Sequence, residues 1–158
     1  MEILFFLGMC LFGAIVPFLA SQMRILGAIA HYFKSAASGQ AANGRLQVIA
    51  TALERTAQLW REHGLVMRAA VDLGSTVPEI DRLWTGAADV FGDAIAAVLV
   101  RGGVPAGEGP GDAAALGRAL CWMIERSFYR ASTDPVNDLD FAKRTCETMW
   151  LRMAHDPQ

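Results

Sequence analysis

At 158 residues the chain has material for one domain, or for a small domain with an appendage. Hydrophobic residues at 53% against 19% charged supply an ample core and argue against disorder, and a net charge of -2 gives no whole-chain basic field for nucleic acid. The three cysteines, Cys10, Cys121 and Cys146, are odd in number and share no short spacing, which speaks against a disulfide framework or a Cys-based zinc site and fits a reducing compartment.

The chain opens on an apolar segment, residues 1–35. Within it residues 3–23 carry no charge between Glu2 and Arg24. As a helix these 21 residues would extend about 31 Å, close to the hydrocarbon thickness of a bilayer. Gly8, Gly13 and Pro17 interrupt the run, which a membrane helix tolerates better than a soluble one. No Lys or Arg precedes it and Phe18 occupies a position where a cleavage site wants a small residue, so a secretory signal fits poorly. If the segment spans, Arg24 and Lys34 hold the rest of the chain in the cytoplasm, which makes an inner-membrane anchor one reading. A buried helix and a displaced translation start are the others.

Residues 36–44, small and polar, read as a linker, and residues 45–158 as one helical domain. Five helical segments are predicted there. In the first, Leu46, Ile49, Leu53, Thr56 and Trp60 recur at spacings of three and four, and Gly64 ends it. A short second segment covers residues 65–73 and stops at Gly74. The third starts with Ser75 or Thr76 as its cap and Pro78 in its first turn, and carries Ile80, Trp84, Ala87, Phe91, Ile95 and Val98 on one face. After a Gly- and Pro-rich connector, Asp112 caps the fourth, whose core is residues 116–130 with Leu116, Leu120, Ile124 and Phe128 aligned. Asn137 or Asp138 opens the fifth, with Leu139, Ala142, Cys146, Met149 and Met153 on its inner side. No stretch alternates apolar and polar residues, so the predicted class is all-α.

Catalytic chemistry finds no foothold. His31, His63 and His155 are far apart and none has a ligand partner at helical metal-binding spacing; neither a nucleophile-elbow sequence nor His-Glu-x-x-His is present. No cofactor or metal is expected. The connector Gly107-Glu-Gly-Pro-Gly111 lacks the strand and the Lys of a phosphate-binding loop. Trp60, Trp84, Phe91, Phe128 and Trp150, large rings on four segments, suit both a core and an apolar pocket between helices.

Four pieces carry a resemblance: residues 60–69 (Trp-Arg-Glu-His-Gly-Leu-Val-Met-Arg-Ala), residues 78–84 (Pro-Glu-Ile-Asp-Arg-Leu-Trp), residues 119–131 with Glu125-Arg126, and residues 147–150 (Glu-Thr-Met-Trp). In this order and spacing the chain resembles, from about Arg45 to His155, the regulatory domain of the tetracycline-repressor (TetR) family of transcriptional regulators. Within that family it is most similar to the branch of the ethionamide-resistance repressor. The resemblance implies a helical bundle of the TetR regulatory type, whose first, third and fourth segments surround a ligand pocket closed partly by the last. It also implies a homodimer through the last two segments, and an effector that shifts the helices bearing DNA-binding heads. Carried over by position, the implied pocket residues are Ile49, Leu53, Thr56, Trp60, Trp84, Phe91, Ile95, Cys121, Ile124 and Trp150. Some relatives place amides where this chain has Cys121 and Ile124, which points to a small apolar effector.

The amino-terminal part departs from the family. Residues 31–35 (His-Tyr-Phe-Lys-Ser) echo the end of a recognition helix but finish only 25 residues before Trp60, too close for a connecting helix. The residues before them carry only Glu2 and Arg24, whereas phosphate contacts need several Lys and Arg. The expectation is a chain without a competent DNA-binding head, engaging DNA only if such a head accompanies it. A membrane-anchored helical sensor tethered through residues 3–23 is the alternative.

Overall fold

The computed structural model describes residues 42–134 and 138–155, with side chains at 47–134 and 138–152. The apolar segment 3–23, the sequence at 31–35, Cys10, most of the proposed linker and Asn137 lie outside the described residues, as do the side chains of Leu46 and Met153. Four helices follow in order: α1 (Ala42–Gly74), α2 (Pro78–Arg101), α3 (Ala113–Thr133) and α4 (Leu139–His155), and no strand occurs among the described residues. The class is all-α, as the periodicity predicts. Ala42 to Gly44, assigned to the linker on composition, form the first turn of α1.

Two predicted segments are one helix. Rather than stopping at Gly64, α1 runs through a kink at His63, whose backbone is non-helical (φ -126°, ψ 15°). A bend next to a glycine is a familiar way to redirect a helix without ending it. Past the kink, Ala70 packs with Ile80 of α2 in a small second cluster flanked by Val66, Leu73, Val77 and Trp84.

Ser75 and Thr76 do not cap α2. Their hydroxyls donate backwards, to the Asp72 carbonyl at 3.3 Å and the Leu73 carbonyl at 3.1 Å, so they finish α1 instead. Val77 takes the cap position in extended conformation, and Pro78 follows where no amide proton is needed. Beyond α2, Gly103 adopts φ +100°, a conformation only glycine takes without strain, and turns the chain into the connector. Asp112 does precede α3, but its carboxylate accepts from the Gly109 amide at 2.7 Å rather than from the helix's own first turn. The opening of α4 is capped as predicted: Asp138 Oδ1 accepts from the Phe141 amide at 2.5 Å.

α2 and α3 run antiparallel and touch at glycine. A Cβ on Gly117 would lie 2.5 Å from the Gly92 carbonyl oxygen and 2.9 Å from the Ala96 nitrogen, so the two backbones meet where no side chain fits. Four residues on, the Cys121 thiol donates to the Ala88 carbonyl at 3.4 Å. α4 lies against α1. Lys143 Nζ meets Glu54 Oε2 at 2.6 Å and Arg61 Nη2 meets Asp140 Oδ1 at 2.5 Å. These are surface pairs, of about 0.5 kcal/mol each, that set alignment more than stability. The Lys143 hydrogen bond holds the Glu54 carboxyl below its ordinary value, and the Lys143 ammonium rises correspondingly.

The principal core joins Ile49, Leu53, Ala57 and Trp60 of α1 with Val98, Leu99, Leu120, Phe128, Cys146 and Trp150. On α4 the buried line runs through Ala142, Cys146 and Trp150. Met149, predicted to face inward, is 43% exposed: Trp150, one residue on, takes the inner position, and its neighbour is rotated onto the helix's outer flank.

Candidate functional site: a cavity among four helices

The helices do not close completely. Between them lies a cavity of about 120 Å³ with an almost wholly apolar lining. α1 supplies Ile49, Ala52, Leu53, Thr56, Leu59 and Trp60 before the kink and Met67 after it, so the bend folds one helix around two sides of the space. α2 contributes Trp84, Ala87, Ala88, Phe91, Ala94, Ile95 and Val98; α3 contributes Cys121, Ile124 and Glu125; and α4 adds Trp150.

All ten residues placed by resemblance line this one cavity. Phe128, the remaining large ring, does not: it is fully buried and fills the core. Trp60 and Trp150 are nearly buried while Trp84 and Phe91 are partly so, which leaves four aromatic rings facing or edging the space. The alanines of α2 are what keep it open. Larger side chains at Ala87, Ala88 and Ala94 would occupy the volume that the aromatic rings surround.

Three lining residues are polar. Thr56 Oγ1 donates to the Ala52 carbonyl at 3.0 Å and the Cys121 thiol to the Ala88 carbonyl, so both protons are already engaged by main chain. Burial pushes the Cys121 thiol up to about 12, with Glu125 and Asp89 adding to the effect, which makes it an inert thiol. Cys146, buried against the core, is raised for the same principal reason.

Glu125 is different, and the reading from sequence left its role open. Its side chain is 12% exposed, and Oε1 is buried without a hydrogen-bond partner. Oε2 lies 4.0 Å from Nε of Arg126, a marginal contact, and the Arg126 guanidinium sits 5.1 Å over the Tyr129 ring. Tyr129 in turn donates to Asp72 Oδ1 at 2.5 Å and stands edge-on to Trp60, with ring centroids 6.5 Å apart. Desolvation raises the Glu125 carboxyl above its ordinary value, with Arg126 pulling the other way. Its position was legible in principle, since residue 125 lies four after Cys121 and shares its helix face.

Among the described residues, no group of three His, Cys, Asp or Glu side chains is placed to hold a metal ion. The connector between α2 and α3 is tied down by its own chain, the Ala113 amide donating to the Pro105 carbonyl at 2.9 Å.

Residues 49–154, which include every cavity residue named from sequence, match the family model described as "Transcriptional regulator EthR, C-terminal domain". No curated protein and no solved structure compared with the chain matches it.

Proposed function

Because the chain belongs to the family of the C-terminal domain of the transcriptional regulator EthR, we propose that it is the effector-binding and dimerisation part of such a regulator. A small, largely apolar molecule enters the cavity, and two copies pair through α3 and α4. The family is one of transcriptional regulators rather than enzymes. The observation that carries the reading is the cavity itself: all four helices contribute to a single apolar space whose hydroxyl and thiol protons are already engaged.

Apolar burial supplies the driving force: a ligand seated against this lining removes its own apolar surface and that of the lining from water. Because α1 wraps the cavity from two sides, a ligand that fits one arrangement of α1 against α2 and α3 better than another shifts the balance between them. That shift is how occupancy reaches whatever α1 carries. DNA contact belongs to this reading only through a helix-turn-helix head, and a cytoplasmic setting goes with it.

The test uses N-phenylnaphthylamine, a neutral apolar dye that fluoresces on leaving water. We expect the chain to bind it, and Trp84→Ala or Phe91→Ala to weaken binding by about tenfold, a loss of roughly 1.4 kcal/mol, with the dimer intact by sedimentation. Equal loss of binding and dimerisation would show that these side chains are simply core, and the cavity reading would fail.

A further inference from the structure

Resting on that reading, the polar groups of the cavity specify the ligand's class more narrowly. We infer that the effector is an apolar molecule carrying one protonated amine, which Glu125 receives. One residue of the cavity lining has an acceptor in want of a donor: Oε1 of Glu125 is buried and unpartnered, while the Thr56 hydroxyl and Cys121 thiol of the same lining already donate to main-chain carbonyls. Leaving a carboxylate oxygen unsatisfied costs more than leaving a neutral group so, because ionised groups lose more on leaving water. The cost is recovered when a bound cation donates to it.

Arg126 does not fill this role from within the protein. Its side chain is 60% exposed with the guanidinium over Tyr129, and Nε approaches Glu125 on the Oε2 side at 4.0 Å. The aromatic lining favours the same ligand charge. Trp60, Trp84, Phe91 and Trp150 line the same space, and aromatic rings attract cations over their faces, whereas an anion would be repelled by the carboxylate. An acid or a phosphate ester is therefore disfavoured, and a neutral hydrocarbon would fill the space but leave Oε1 open.

The experiment displaces N-phenylnaphthylamine from the full chain with ω-phenylalkylamines of increasing length, each against the alcohol of the same length. We expect the amine to compete at about tenfold lower concentration than its alcohol, in keeping with a charge-assisted hydrogen bond. Glu125→Gln should abolish that preference, so that amine and alcohol of each length compete equally, and Glu125→Asp should keep part of it. Equal competition by amine and alcohol, or a preference that survives in Glu125→Gln, overturns the inference and leaves the cavity reading standing. If the dye itself does not bind the unaltered chain, the cavity reading falls and takes this inference with it.

Discussion

Glu125 stands out among the charged residues because its carboxyl is raised by burial rather than stabilised by a partner. A carboxyl whose folded value lies above its unfolded one binds its proton more tightly in the folded chain. Stability is then greatest below the ordinary carboxylate range and declines as pH rises through the unfolded value to the raised folded one. Glu125→Gln removes that decline. Without ligand, the variant should be more stable than the parent at neutral pH, by on the order of 1 kcal/mol, and no more stable in acid. Denaturant unfolding followed from mildly acidic to neutral pH checks this; parallel pH profiles for the two proteins would mean that Glu125 bears no desolvation cost. From sequence alone a glutamate on an amphipathic helix reads as solvated. Here the side chain lines an inter-helix cavity and is largely covered, which no local pattern encodes.

At the scale of elements, two glycines within helices make opposite predictions. Glycine inside a helix is worth about 1 kcal/mol less than alanine, so each replacement starts from a gain. At Gly86 nothing lies within 4 Å of an added Cβ, and Gly86→Ala should stabilise by about 0.5–1 kcal/mol. At Gly117 the added atom collides with the α2 backbone at 2.5 Å, and Gly117→Ala should destabilise by about 2 kcal/mol as the two helices separate. Thermal unfolding of both variants decides; a stabilised Gly117→Ala would mean the helices are not in close contact. Helix boundaries show the same division of information. Among the described residues, spacings of three and four marked each helix although α1 was split at Gly64, and Asp138 was one of two residues legible as opening α4 because an Asx cap is a local device. Ser75 and Thr76 were misplaced because their hydroxyls can serve either the helix that ends or the one that begins, and the geometry of the turn chooses the former. Met149 was misplaced because a run of apolar residues along α4 offers more than one stripe, and only the partner helix selects Trp150.

For the whole molecule, the outward sides of α3 and α4 carry the dimer proposal. On α3, Ala115, Ala119, Trp122 and Arg126 recur at helical spacing, with Trp122 40% exposed. On α4, Phe141, Thr145, Thr148 and Arg152 do likewise, with Phe141 56% exposed and Met149 beside it. Small side chains next to large exposed apolar ones suit close packing against a copy of the same surface, where a standard interface removes about 800 Å² from each partner. Trp122→Glu should shift the chain from dimer to monomer in sedimentation velocity while N-phenylnaphthylamine still binds. A parent chain that sediments as a monomer would end the dimer proposal.

Composition and periodicity by themselves determined that the described part of the chain is helical, roughly where its helices lie and most of their apolar faces, because those properties depend on residues three and four apart. Resemblance to the family placed ten side chains that prove to surround one space. What the tertiary structure alone decided is that the space exists and what it contains. Its volume depends on alanines of α2 beside aromatic rings of α1, α4 and α2 itself, on a kink at His63 that brings Met67 of α1 to it, and on Gly92 and Gly117 drawing α2 and α3 together. Among its described lining side chains, Glu125 carries the buried unpartnered acceptor. Contacts of that kind are set by how helices cross, and crossing is a property of the packed molecule rather than of any segment.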